Sequence, residues 1–193
     1  TSGGTAANLS AIVTAREYWR SKNEENQQRR GLILASEGAH SSVKAMAKVV
    51  DAELILIDTE ERLTAKELGD AIKKLPDEKR KCLFAVVATG GTTNAGIIDD
   101  LAGIAKICKQ EEIWFHADCA YGGAALAADS VRHLFNGIEE ADSITIDPHK
   151  WLFSPYDCGA IIYRNPELAK KAHKQEGSYL DAFKEANGIN PSD

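Results

Sequence analysis

The sequence predicts a three-layer α/β domain, a mostly parallel sheet with helices on both faces. Three observations predict it. Continuous apolar runs of four to seven residues alternate with stretches of helical periodicity along the 193-residue chain. The runs are apolar throughout rather than at every second position, as in strands buried on both faces. No internal repeat or low-complexity tract interrupts the alternation.

The elements follow in order. Residues 5 to about 28 read as one long helix, with Leu9, Ile12, Val13 and Tyr18 or Trp19 recurring on one side. A short buried strand at 32–35 precedes a helix over 41–50, whose Val43, Met46, Ala47 and Val50 are in phase. Residues 53–57 form a strand. Thr64 and Glu67 have capping-box spacing and open a helix to Leu75, closed by Pro76. Strands follow at 82–88, 113–115 and 144–146, with a helix over about 100–111 whose core stripe is Leu101, Ile104, Ile107 and Cys108. A last strand spans 158–163, and Pro166 starts a helix at its first position.

Composition narrows the function. With 44% hydrophobic residues the chain suffices for one domain with a full core, burying roughly 70% of its extended surface. Net charge is −6 and no dense Lys/Arg block occurs, which argues against nucleic-acid and membrane-surface roles. Lys79-Arg80-Lys81 reads as a solvated loop before a strand. No apolar run approaches the roughly 20 residues of a membrane span. The four cysteines (Cys82, Cys108, Cys119, Cys158) form no CxxC pair, so reduced thiols in a cytoplasmic protein are expected. Thr1 lies in a Ser/Gly turn that leads straight into a helix, and residues 187–193 are turn-formers. The chain therefore reads as a segment of a longer protein.

Sheets of this kind bind ligands at the carboxyl ends of their strands, where His40, Thr93, Asp118, His149 and Lys150 all fall. Lys150 follows His149 on a Pro turn after the run 142–146. Apolar neighbours would leave its amine poorly hydrated, lowering its pKa and freeing it to attack carbonyls; alone, it would be an ordinary surface lysine. Asp118 ends the run WFHAD. It is either a turn carboxylate or the ion-pair partner of a protonated pyridine, with Ala120, Gly122 and Gly123 leaving room for a flat ring. A nucleophilic lysine plus such a carboxylate is what pyridoxal phosphate requires.

The remaining candidates are each open to two readings. The Gly-rich start TSGGT at 1–5 is either a plain helix cap or an anion cradle of backbone N–H groups. His40 is a capping residue or a ring that stacks on a cofactor. Thr93, in ATGGTTNAG at 88–96, belongs to a plain turn or supplies a hydroxyl to a ligand. A zinc site from His116, Asp118 and His149 has no ligand-spacing motif behind it.

These segments together resemble the pyridoxal-phosphate-dependent decarboxylases of the aromatic-amino-acid and glutamate decarboxylase group, over nearly the whole chain. TSGGTAANL looks like the family's phosphate loop, which would put Gly3, Gly4 and Thr5 on the cofactor phosphate. AHSSVKA is similar to the segment of the stacking histidine (His40), and GTTNAG to that of the cofactor-contacting threonine (Thr93). HADCAYGG matches the segment of the pyridine-nitrogen aspartate (Asp118) and of the small residue under the ring (Ala120). The family's NPHKW stands here as DPHKW, giving the Schiff-base lysine as Lys150 and its companion as His149. The departure is Asp147, whose carboxylate would repel phosphate unless turned away or bridged.

The resemblance implies an aspartate-aminotransferase-like, fold type I large domain over 1–193, lacking the family's N-terminal segment and C-terminal small domain. It implies pyridoxal 5'-phosphate as cofactor, no metal, and a small amino acid as substrate. It also implies a homodimer in the full-length enzyme and decarboxylation to an amine and CO2, with Lys150, His40 and Asp118 catalytic. The segment alone would be inactive. Another lyase or a transaminase on the same fold, or an inert domain, stays open, and the substrate side chain is not legible.

Overall fold

A computed structural model describes residues 1–174; the expected turns at 187–193 lie outside the described residues. Strands β1 (Leu32–Ser36), β2 (Glu53–Ile57), β3 (Leu83–Thr89), β4 (Trp114–Asp118), β5 (Ser143–Ile146) and β6 (Ala160–Tyr163) form one sheet in the spatial order β2-β1-β3-β4-β5-β6. The pairings from β2 to β5 are parallel, and β6 runs antiparallel to β5. No helix lies between β5 and β6. A parallel neighbour needs a crossover, usually helical, so the antiparallel edge is what this connection allows. Every residue of β1, β3 and β4 is buried, as their continuous apolar runs require.

Helices α1 (Gly4–Ser21) and α3 (Ser41–Val49) cover one face. There Ile12, Ala15, Val43, Met46 and Ala47 pack on Ile33, Ala35, Val87 and Trp114. The other face carries α4 (Ala65–Lys74) and α6 (Leu101–Gln110), whose Leu68, Ile72, Leu101 and Ile104 pack on Leu34, Val86, Phe115 and Ala117. The capping box forms: Thr64 Oγ1 accepts from Glu67 N–H, and Glu67 Oε2 from Thr64 N–H. Such a cap is worth about 1 kcal/mol. Pro166 begins α8 (Pro166–His173).

Three expectations are corrected. The first helix ends at Ser21, because Asn23 turns extended and caps a separate short helix, α2 (Glu24–Gln28), by accepting from Asn26 N–H. The buried stripe of α1 runs through Ala7, Asn8, Ala11, Ile12, Ala15 and Trp19; Ile12 and Trp19 of the expected stripe are buried, but Leu9, Val13 and Tyr18 are not. Alanines let the helix lie close to the sheet, and the bulkier residues flank it. Lys79-Arg80-Lys81 is no loop: Asp77 and Glu78 favour the N-terminus of a short helix, α5 (Asp77–Arg80). The three cations pair with Glu53, Glu111 and Glu78, exposed pairs worth about 0–1 kcal/mol each.

Between β4 and β5 the chain makes 3-10 turns around α7 (Asp129–Arg132). All four thiols are free; burial pushes those of Cys108 and Cys119 up. Among the described residues no helix is long and apolar enough to cross a membrane.

Candidate active site

The carboxyl ends of β3 and β4 open into a cleft, and five residues singled out from the sequence line it: His40, Thr93, Asp118, Ala120 and Lys150. Thr89, Gly91, Thr92 and Tyr121 complete its wall. Gly91 has φ of +112°, and a Cβ there would sit 2.8 Å from Gly122 Cα. Only glycine lets the loop after β3 lie against the turn after β4.

Asp118 is 6% exposed, yet both its oxygens are held. Oδ2 accepts from Asn8 Nδ2 at 2.8 Å, and Oδ1 accepts from Ala120 N–H at 3.1 Å. These two hydrogen bonds fix the direction of the carboxylate. His40 caps α3, its Nδ1 accepting from Ser42 N–H at 3.2 Å, and its ring is exposed at the cleft.

Lys150 departs from expectation. Its side chain is 35% exposed rather than desolvated, and Nζ lies 3.0 Å from Asp147 Oδ2. The turn that carries it leaves Trp151, Leu152 and Phe153 exposed, so no apolar wall closes over the amine. Asp147 is buried, so the carboxylate that would oppose a phosphate is bridged by Lys150 rather than turned away. It sits beneath the first turn of α1: a Cβ on Gly4 would lie 2.8 Å from Oδ2 and 2.9 Å from Ala120 Cβ. His149 Nε2 is 3.5 Å from the same oxygen, its Nδ1 accepts from Cys158 N–H at 2.9 Å, and its ring stacks on Tyr156. A Cβ on Gly3 would come within 3.1 Å of the His149 ring. Gly3, Gly4 and Thr5 thus start α1 beside Asp147 and His149, a second cluster joined to the cleft through Ala120 and the Lys150–Asp147 pair.

The zinc reading does not hold. His116 is fully buried and bonds to Asn8 and Ser143. Among the described residues no group of three His, Cys, Asp or Glu side chains is placed to hold a metal ion. Burial holds His116 down at about 4, against the pull of Asp118.

Two site-supporting residues escaped the sequence reading. Asn8, on α1, contacts Asp118 directly. Asp99 anchors the floor, accepting from Thr89 N–H at 2.7 Å and Leu63 N–H at 2.8 Å. Burial pushes Asp99 up to about 6, and those two N–H groups oppose the rise.

The chemistry of these side chains suits a flat heteroaromatic aldehyde bearing a phosphate. The Thr89 and Thr145 hydroxyls are buried with no partner among the described residues, and both stand in register with Asp118, on β3 and β5. The sheet, the cleft and its lysine and carboxylate define a pyridoxal-phosphate-binding α/β domain.

The family model described as Pyridoxal-dependent decarboxylase conserved domain matches residues 1–191. The chain belongs to that family. It is 37% identical over 185 residues to an aromatic-L-amino-acid decarboxylase of Bacillus atrophaeus, covering 93% of this chain and 37% of the relative. An L-2,4-diaminobutyrate decarboxylase of Rhizobium meliloti (strain 1021) is 34% identical over 194 residues, covering 94% and 38%. Among solved structures, mouse CSAD in its apo form superposes with a TM-score of 0.82 at 30% identity, covering 92% of this chain and 39% of that one. The chain therefore spans well under half the length of these relatives.

Proposed function

We propose that this protein decarboxylates an L-amino acid to an amine and CO2, with residues 1–193 as the cofactor-binding large domain and Lys150, Asp118 and His40 as its catalytic residues. The observation that carries this is the convergence of a lysine and a fixed, ionisable carboxylate, with Ala120 between, in one cleft. Bound pyridoxal phosphate supplies an electron-poor ring that draws electrons from the bonds at the substrate Cα.

The chain's own residues do the rest. Lys150 provides the amine; its Nζ is paired with Asp147 Oδ2 at 3.0 Å, and that pair must open for the amine to act as a nucleophile. Asp118, held on both oxygens, would pair with a protonated ring nitrogen of the cofactor and so help the ring take up negative charge. His40 has Nδ1 engaged with Ser42, so Nε2 carries the proton and is free to orient a substrate carboxylate. The first turn of α1, at Gly3, Gly4 and Thr5, offers backbone N–H groups and a partial positive charge to the phosphate, with His149 beside it. Thr93 lends a hydroxyl at the cleft wall.

Two further features support a homodimer in the cytoplasm. Leu134, Trp151, Leu152, Phe153 and Tyr156 are exposed close to Lys150, an apolar surface that a second copy would cover. None of the four cysteines is paired with another, an arrangement compatible with a reducing compartment.

The test is chemical. Borohydride reduction of the intact protein with cofactor should fix the cofactor on the peptide containing Lys150, and Lys150→Ala should abolish both the adduct and amine release. An adduct retained in Lys150→Ala refutes the lysine assignment. Keto acid in place of amine and CO2, from a panel of tyrosine, tryptophan, DOPA, glutamate and diaminobutyrate, refutes the reaction.

A further inference from the structure

A chain of buried hydrogen bonds runs behind the cleft, and the Asp118 carboxylate at its end sets the direction of its central bonds. The Trp114 indole N–H can only donate, and it does so to Ser143 Oγ at 2.8 Å. Ser143 Oγ also lies 2.8 Å from His116 Nδ1, and its own proton is available to that nitrogen. The Asp118 carboxylate needs the NH2 group of Asn8 on its side, so Asn8 Oδ1 faces His116 Nε2 at 3.0 Å and accepts its proton. With its oxygen so engaged, Asn8 presents its NH2 group to Asp118 Oδ2 at 2.8 Å and to Ser42 Oγ at 3.2 Å. Ser42 Oγ is left free to donate to His40 Nδ1 at 2.9 Å. The reverse orientation of Asn8 would set its oxygen against the Asp118 carboxylate, which fixes the amide as a donor to Asp118.

Asn8, His116 and Ser143 are all at most 1% exposed, and none reaches the cleft wall. A buried polar group is costly unless paired, and here each named donor has an acceptor. The chain branches at a single amide, whose two protons serve one group on each side: the carboxylate of Asp118 and, through Ser42, the imidazole of His40.

We propose that Asn8 and His116 are positioning residues: a neutral His116–Asn8 relay fixes the Asp118 carboxylate in the cleft and, through Ser42, reinforces the tautomer of His40. The inference rests on the proposed function only for what Asp118 faces; the relay itself is a property of the chain. His116 stays neutral because burial outweighs the attraction of Asp118. A charged imidazolium would instead turn both ring nitrogens into donors and break the bond from Ser143.

The test has a cofactor-free arm and a cofactor arm. In the intact protein without cofactor, 15N-edited NMR of the histidine rings should show His116 as the neutral Nε2–H tautomer at neutral pH. An Nδ1–H tautomer or an imidazolium overturns the relay, whatever the protein catalyses.

In the cofactor arm, Asn8→Leu removes both donors at similar volume. It should weaken cofactor binding and lower kcat by about 10- to 100-fold, the worth of a hydrogen bond to a charged group, with KM little changed. Asn8→Ser replaces it if Asn8→Leu does not fold. His116→Gln keeps an N–H for Asn8 and should recover most of what His116→Leu loses. Wild-type kcat and cofactor affinity in both Asn8 variants, or equal losses in His116→Gln and His116→Leu, overturn the proposal in favour of simple packing. Failure of the wild type to bind pyridoxal phosphate would sink the proposed function, while the NMR arm still decides the relay.

Discussion

On one face of β4, Phe115 and Ala117 lie against the α4 and α6 layer in a cluster built from aliphatic, aromatic and thiol side chains. On the other face of the same strand, Trp114, His116 and Asp118 point toward α1, and each makes a hydrogen bond to another buried side chain. The alternation is that of any strand, but the two faces do different work. The apolar face stabilises through area and packing, whereas the polar face gives up some of that to hold a carboxylate and imidazoles in fixed directions. Substitutions on the first should therefore register in stability, and those on the second in function.

The largest effect should come from Phe115→Ala. The ring is almost fully buried, so its removal should cost about 3–5 kcal/mol, read as a lower denaturant midpoint. Asp118→Asn, on the opposite face and three residues along, is close to isosteric. It should leave the midpoint near wild type while turnover falls by about 100- to 1,000-fold, the range for removing a pre-organised electrostatic group. If Asp118→Asn unfolds the protein as readily as Phe115→Ala, the division between faces is wrong.

Acid titration sharpens the same contrast. His116 sits at about 4 in the fold against an ordinary 6.5. As pH falls below 6.5 the unfolded chain gains a proton that the fold refuses until about 4, so this group's contribution is lost toward acid. Asp99 runs the other way, at about 6 in the fold against 3.8. Its contribution is complete below 3.8 and is lost as pH rises through 6. Between about 4 and 6 the two oppose each other. Urea midpoints across this range should therefore show His116→Gln gaining on wild type as pH drops, and Asp99→Asn gaining as pH rises, each by on the order of 1–3 kcal/mol. Variant curves parallel to wild type would remove the linkage.

The sequence made one half of the polar face legible and hid the other. Asp118 ends β4, while Lys150, Thr93, His40 and Ala120 stand at turns following strands, and the five meet in the cleft. Asn8 was hidden because a polar residue within a helix reads as solvent-facing. The bulky Leu9 and Val13 also outweighed the alanines that share its buried stripe. His116 drew notice only as a metal ligand, although its period-two phase with Asp118 placed it on the same face. The strand order was foreseeable in kind but not in detail, and the antiparallel β6 follows from the helix-free connection after β5. Lys150 shows the limit of reading hydration from neighbours in sequence: its apolar neighbours are themselves exposed, and its amine stays partly exposed beside Asp147.

Asp147 gives the smallest and most diagnostic effect. Its carboxylate lies beneath the first turn of α1, where the helix end favours a negative charge, and any phosphate held there must share that field. Asp147→Asn removes the competing charge and frees Lys150 from its ion pair. A charge at a helix terminus is worth about 0.3–1 kcal/mol, so affinity for pyridoxal phosphate should rise about two- to five-fold. Affinity for pyridoxal, which lacks the phosphate, should stay unchanged, since only the charge facing the helix end differs. An equal gain for both ligands would trace the effect to the released lysine. A loss for both would make Asp147 a structural anchor of the turn that carries Lys150.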